Sequence, residues 1–168
     1  IDADAVILAT GHSALDSLLM ARDAGAALSA KGFAMGVRIE HPQAWLDENQ
    51  YKGSREEADL PPSFYSIATQ VNERGVFSFC MCPGGYVLSS GTENNGLVVN
   101  GMSNYARNSP WSNSALVVSV EASKDFEGSL LAGMEFQRNI EKVAFDLSTE
   151  KASGKEVPYI ELDRFLEG

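Results

Sequence analysis

The chain has 168 residues, the size of one ordinary domain with a single core, and its 44% hydrophobic, 21% charged composition excludes a disordered polymer. A formal charge of −10 with no basic stripe lacks the electrostatic footprint that grips nucleic acid, and no apolar run nears the ~20 residues that cross a bilayer. Two cysteines, one residue apart, make no disulfide framework and point to a reducing, cytoplasmic setting.

The chain opens in "IDADAVILATG", without a methionine and already inside a β-like run, as a piece of a longer protein would. "ADAVILAT" (3–10) is an unbroken apolar run of the kind buried on both faces of a parallel sheet, and Gly11 ends it. Ser13 is placed to cap a helix in "ALDSLLMARDAG", with Leu15, Leu18, Leu19 and Arg22 at helical spacing and Gly25 as the stop. Residues 1–25 thus read as strand, turn and helix.

Residues 26–150 read as the main body. "FAMGVRIEH" alternates Phe33, Met35, Val37 and Ile39 against Ala34, Gly36, Arg38 and Glu40, a half-buried strand, and Pro42 then starts a short helix through Gln50. After a charged loop (51–62), three strands are expected in "SFYSIATQV", "GVFSFCMC" and "YVLSS". A turn at "NNG", strand "LVVNGM", a polar stretch "SNYARNSPWSN" and strand "ALVVSVEA" follow. Strands so closely spaced predict an antiparallel sheet. A last helix, from about Glu127 to Leu147, carries Phe136, Ile140, Val143 and Leu147 on one stripe, predicted to pack on the sheet. The tail, 151–168, carries no assignable pattern.

Four groups of residues bear on chemistry. Thr10-Gly11 ends a strand before a helix, where α/β folds bind ligands at the carboxyl edge of the sheet, although an ordinary strand-to-helix turn reads the same and the G-x-G-x-x-G fingerprint is absent. In "FSFCMCPGGYV" (77–87), strand alternation sends Ser78, Cys80 and Cys82 to one face and Phe77, Phe79 and Met81 to a core face. A bridge between Cys80 and Cys82 on an extended strand is strained, because their Cα atoms stand near the upper limit for a disulfide. Zinc would need His12 and His41 beside both thiolates. The remaining readings are two small buried side chains before a turn, or thiols beside a redox cofactor. Gly84-Gly85 either makes a hairpin turn or lets another group approach the backbone. The loop after "LVVNGM" offers Asn104 and Arg107 as donors to a ligand, or simply turns. Arg38 lies on the polar face of its strand, solvated or facing a pocket.

Taken together, "ADAVILATGHSALD", "GFAMGVRIEHPQ", "GVFSFCMCPGGYV", "GLVVNGMSNYARN" and "NSALVVSV", in this order, resemble the uncharacterised FAD-dependent dehydrogenases of bacteria and plastids over about residues 3–146. The resemblance implies an inserted α+β domain of a flavoprotein, an antiparallel sheet or partly open barrel with flanking helices, with residues 1–25 at the edge of the FAD-binding domain. It implies FAD in the parent chain, with Thr10, Gly11, His12, Gly84 and Gly85 toward the cofactor and Cys80 and Cys82 as candidate catalytic thiols. Arg38, Asn104 and Arg107 would then face a small-molecule substrate. The remaining FAD-binding domain is the implied partner, and neither a metal nor FAD is expected to stay with this piece alone. The tail "DLSTEKASGKEVPYIELDRFL" departs from the family's usual glycine pair and "APxQ" turn. The competing reading is a non-enzymatic ligand- or metal-binding module with structural cysteines.

Overall fold

The computed structural model describes residues 2–11, 13–53, 55, 59–91, 93–126, 129–149 and 156–168. The alternating run at 33–41 becomes β1 (Phe33–Pro42), which pairs antiparallel with β6 (Trp111–Val120) from Phe33↔Val120 to Pro42↔Trp111. Against the other side of β6 lies β3 (Arg74–Cys82), and β2 (Ala68–Val71) forms the outer edge, giving a four-stranded sheet in the order β1-β6-β3-β2. β4 (Gly85–Ser89) and β5 (Val99–Ser103) form a separate two-stranded ribbon. The architecture is α+β with antiparallel pairing throughout, as expected, and the described strands do not close into a barrel.

Helix α1 (Leu15–Asp23) ends as read: Gly25 takes φ +90 just beyond the last turn, where its amide donates to Arg22 O at 2.9 Å. The N-cap position falls on Ala14, one residue later than the expected Ser13. Helix α2 (Gln43–Tyr51) follows Pro42 directly, since the fixed proline φ suits the entry to a helix. Helix α3 (Ala122–Asp125) is a single turn, tied by Arg74, which donates to Asp125 from both terminal nitrogens and to Ser119 O at 3.1 Å. Helix α4 spans Ala132–Thr149, and α5 (Leu162–Glu167) gives the tail the one element that its sequence did not announce. No described helix is long and apolar enough to cross a membrane.

Four expectations are corrected. Residues 3–10 are not a strand: the segment pairs with nothing described, and Val6 and Ile7 are 85% and 90% exposed. A parallel strand exists only beside hydrogen-bonding neighbours, and the described strands are all committed to antiparallel partners. The strand expected at 63–71 is confined to its last four residues on the exposed sheet edge. β6 begins at Trp111, well inside the stretch read as polar loop, so Ser112, Asn113 and Ser114 sit at 0% exposure.

The fourth concerns α4. Its described start is Ala132, and of its apolar stripe Ile140, Val143 and Leu147 are turned outward while the Phe136 ring packs against Phe126 at 5.3 Å; Gln137, Glu141, Ala144 and Ser148 face inward. Helical periodicity identifies an apolar face but not its occupant. The inward placement is fixed by the 93–97 loop, where Leu97 N donates to Glu141 O at 3.0 Å and Glu93 pairs with Arg138 at 3.5 Å. The total accessible surface is 12469 Å². A compact monomer of this size exposes roughly 8,000 Å². Among the described residues the buried apolar side chains are Leu46, Leu97 and Val117, while the fully buried ones are the polar Ser112, Asn113 and Ser114.

Candidate functional site

The registers of β1, β6 and β3 decide which side chains share a face. Arg38 pairs with Ala115, Ala115 with Phe79, and Asn113 with both Glu40 and Cys82, so these residues form two adjacent rows on one face. His41 pairs with Ser112, and Ser78 with Leu116, on the opposite face.

The pairing slips by one residue between Phe79 and Cys82, a β-bulge with Cys80 at φ +45. Left-handed backbone at a residue with a side chain costs about 1–2 kcal/mol. The compensation is visible: Arg38 Nη2 donates to Cys80 O at 2.8 Å and Nη1 to the same oxygen at 3.3 Å and to Asn113 Oδ1 at 3.0 Å. The bulge also corrects the expected alternation. Cys82 is carried from the face of Ser78 to that of Phe79, Arg38 and Asn113, and Phe79 is 58% exposed instead of packed in a core.

The β4–β5 ribbon lies across this face. A Cβ on Gly101 would stand 2.1 Å from Asn113 Oδ1 and 2.5 Å from Arg38 Nη1, so the strand approaches because glycine is there. Asn113 Nδ2, fully enclosed, has no hydrogen-bond partner among the described residues. Beside this contact is a pocket of about 230 Å³ whose floor is Ala34, Gly36 and Ala115 and whose rim includes Arg38, Phe79, Cys80 and Asn100. A larger cleft of about 780 Å³ lies between α1 and the α3–α4 corner, lined by Leu18, Phe33, Phe126 and Met134. None of the candidate residues borders it.

The Pro83-Gly84-Gly85 turn is held from three sides. Gly84 N donates to Gln43 Oε1 at 2.8 Å, Ser103 Oγ donates to Pro83 O at 2.7 Å, and a Cβ on Gly84 would fall 1.9 Å from Arg107 O. Gly84 itself has φ +54. The close approach that the two glycines permit is thus used by the chain's own residues 102–107. Gln43 is fixed in turn by Asp47, to which its Nε2 donates at 2.7 Å, and Ser63 donates to the same carboxylate oxygen from its amide and hydroxyl. Burial raises the Asp47 pKa, but the hydrogen bonds from Ser63 and Gln43 and the charge of Arg55 outweigh it and hold the carboxyl below its usual range.

The structure therefore brings together Arg38, Cys80 and Cys82, and joins the backbone of Arg107 to Gly84. Asn104 Nδ2 donates to Asn108 Oδ1 at 2.7 Å, its Oδ1 accepts from the Asn108 amide at 3.3 Å, and its carbonyl accepts from Arg107 N at 3.1 Å. Thr10 and Gly11 stand apart on the exposed N-terminal segment, with nothing within 4 Å of a Cβ on Gly11. His12 lies outside the described residues.

Sequence reasoning missed Asn113, Gln43, Asp47 and a second polar group on the opposite face. There His41 Nδ1 meets Ser112 Oγ at 2.9 Å and Nε2 meets Tyr65 OH at 3.1 Å, with Trp45 and Tyr65 rings each 5.6 Å away. Burial depresses the His41 pKa and raises that of Tyr65. Both ring nitrogens are engaged and the sheet separates His41 from Cys82, so it is not placed to complete a zinc site with the thiols. Among the described residues no cluster of three or more His, Cys, Asp or Glu could hold a metal. The one sequence signal for this group was the polar run "WSNS" abutting an apolar strand.

The antiparallel sheet with its clamped bulge and crossing ribbon lies within a segment that matches a known family. Residues 32–168 match the family described as FAD-dependent protein, C-terminal domain-like, and the chain belongs to it. The match includes the tail. A relative from Clostridium beijerinckii, described as an uncharacterized protein, is 47% identical over 150 residues, covering 88% of this chain and 28% of the relative. The chain thus spans less than a third of the length of that relative.

Proposed function

We propose that this chain is the substrate-side domain of an FAD-dependent oxidoreductase of the dehydrogenase type, covering the flavin held by the remaining FAD-binding domain of its parent. The observation that carries this reading is the shallow pocket beside Arg38 and Cys80, whose sheet-side lining of Ala34, Gly36, Ala115 and Val117 presents only small aliphatic side chains, so a ring can lie against it. The fit is partial. A pocket of about 230 Å³ accepts a ring or a small substrate and not a whole dinucleotide, and the described residues offer no glycine-rich diphosphate cradle. FAD, when bound, supplies the electron-accepting chemistry.

The residues of this chain bind, orient and exclude water. Arg38 offers charge to an anionic substrate while its other hydrogen bonds hold it in place, with Asn104 and Arg107 on the neighbouring loop as further donors. Cys80 and Cys82 are the thiols nearest that reaction. Thr10 and Gly11 lie toward the FAD-binding domain, and Gly84 and Gly85 shape the turn on the flavin side. The outward stripe of α4, the bare 3–10 segment and the large accessible surface are what a domain looks like when the surface it packs on is another part of the same protein. We place the reaction in the cytoplasm.

The test is a pair of FAD titrations. The intact parent should carry one FAD per chain and be yellow, while the isolated 168-residue chain should bind none with a micromolar or tighter dissociation constant. Stoichiometric binding by the isolated chain, or an intact protein that takes up no FAD, overturns the reading.

A further inference from the structure

We propose that Cys80 and Cys82 form a reversible dithiol–disulfide couple, made possible by the bulge in β3. On a regular strand the bridge is strained, because residues i and i+2 stand at the far limit of disulfide reach. The strand here is not regular. Phe79 and Cys82 each pair across to β6, with Ala115 and Asn113, so three residue steps of β3 occupy the length of two steps of β6. That length is about 6.6 Å, where three extended steps would take about 10 Å. The chain between Phe79 and Cys82 is therefore folded up as in a turn, and Cys80 to Cys82 is two thirds of that shortened path.

The side-chain positions are compatible with this. The slip places Cys82 on the Phe79 face, Cys80 is among the residues that line the adjoining pocket, and Cys82 Sγ lies 3.4 Å from Cys80 O. The same carbonyl oxygen receives both Arg38 hydrogen bonds, so the guanidinium holds the folded path in place. Cys80 is exposed to an incoming reagent and Cys82 is half-buried.

The step is an exchange with a small-molecule disulfide such as oxidised glutathione. The Cys80 thiolate attacks one glutathione sulfur, an S–S bond forms to Cys80, and one glutathione leaves as thiolate. Cys82, losing its proton to solvent, then attacks the Cys80 sulfur, closing the intramolecular bridge and releasing the second glutathione. Two protein thiols are oxidised by two electrons, and one disulfide is reduced to two thiols. This inference does not rest on the flavin reading, since neither oxidant nor geometry involves FAD.

The experiment uses the intact polypeptide that contains this chain, equilibrated in glutathione buffers of graded ratio, quenched with acid and alkylated. Tryptic cleavage after Arg74 and Arg107 places both cysteines in one peptide. The expected result is a peptide two mass units lighter that takes up no alkylating agent, with a bridge-forming equilibrium constant about tenfold larger folded than in urea, equivalent to about 30 mV. In Cys82→Ser, Cys80 should stop at the glutathione adduct. Thiols that stay alkylatable in every buffer, two glutathione adducts without a bridge, or equal constants in the folded and urea-denatured chain overturn the proposal. FAD content, read from absorbance on the same samples, reports separately on the proposed flavoprotein.

Discussion

Arg38 and Cys80, 42 residues apart in the chain, are joined where the guanidinium of the first donates to the carbonyl oxygen of the second at 2.8 Å. The bond ties the first strand of the sheet to a bulge in the third across the intervening β6, and it faces a residue whose backbone is left-handed.

Removing that clamp should loosen the bulge. Arg38→Met removes the guanidinium donor from Cys80 O and Asn113 Oδ1, a loss of about 0.5–1.5 kcal/mol by the usual net worth of a hydrogen bond, since Cys80 O is exposed and keeps its Cys82 Sγ contact. Arg38→Lys should recover part of it, since one ammonium cannot match the fork. Urea denaturation midpoints of the intact protein, compared at equal slope, decide the matter.

The turn after the cysteines makes a steric prediction. Gly84→Ala would put a methyl group 1.9 Å from Arg107 O at φ +54, so backbone must move, and a loss of about 2–4 kcal/mol is expected. Gly53→Ala is the control, with open space around it and no positive φ, and should stay within about 0.5 kcal/mol. Thermal unfolding of the two variants side by side checks the contrast.

Asp125 gives an acid-range prediction. Hydrogen bonds from Arg74, then from the Glu121 amide, hold its carboxyl at about 2 against an ordinary 3.8. The folded-state value is the lower one, so the stabilisation is fully present above the ordinary value and disappears as pH falls through about 2. The stability difference between the wild type and Asp125→Asn should shrink across that window. A difference that stays constant with pH would show the pair to be energetically silent.

His41 titrates at the other end. Burial lowers its pKa from 6.5, so the fold prefers the neutral ring, held between Ser112 and Tyr65. The unfolded chain takes up the proton first as pH drops below 6.5, and stability should decline there. His41→Gln should flatten that part of the profile, as read from denaturation midpoints between pH 7.5 and about pH 5.

The outward face of α4 separates the isolated chain from the intact protein. Val143 is 59% exposed, so Val143→Asp should change the stability of the isolated chain by less than about 0.5 kcal/mol. In the parent protein, with that face covered, the same change should cost about 2 kcal/mol or more. Equal effects in both would mean that the stripe is not an interface.

Composition and periodicity by themselves determined the antiparallel strands, the span of β1, the short helix after Pro42 and the stop at Gly25, because each rests on local rules: alternation, proline entry and glycine exit. Five sequence blocks in order were enough to point to the FAD-dependent family. Local rules do not fix what lies opposite an apolar face, and so they could not show that 3–10 pairs with no described strand or that much of the apolar stripe of α4 is turned outward. They also cannot see a one-residue slip in pairing. Only the tertiary register showed that Cys82 turns to the face of Arg38, that "WSNS" is buried strand, and that Gln43 and Asp47 hold the glycine turn. Apart from the Gln43–Asp47 bond within one helix, these are contacts between residues 20 to 75 positions apart, and their energies depend on neighbours that no window of sequence contains.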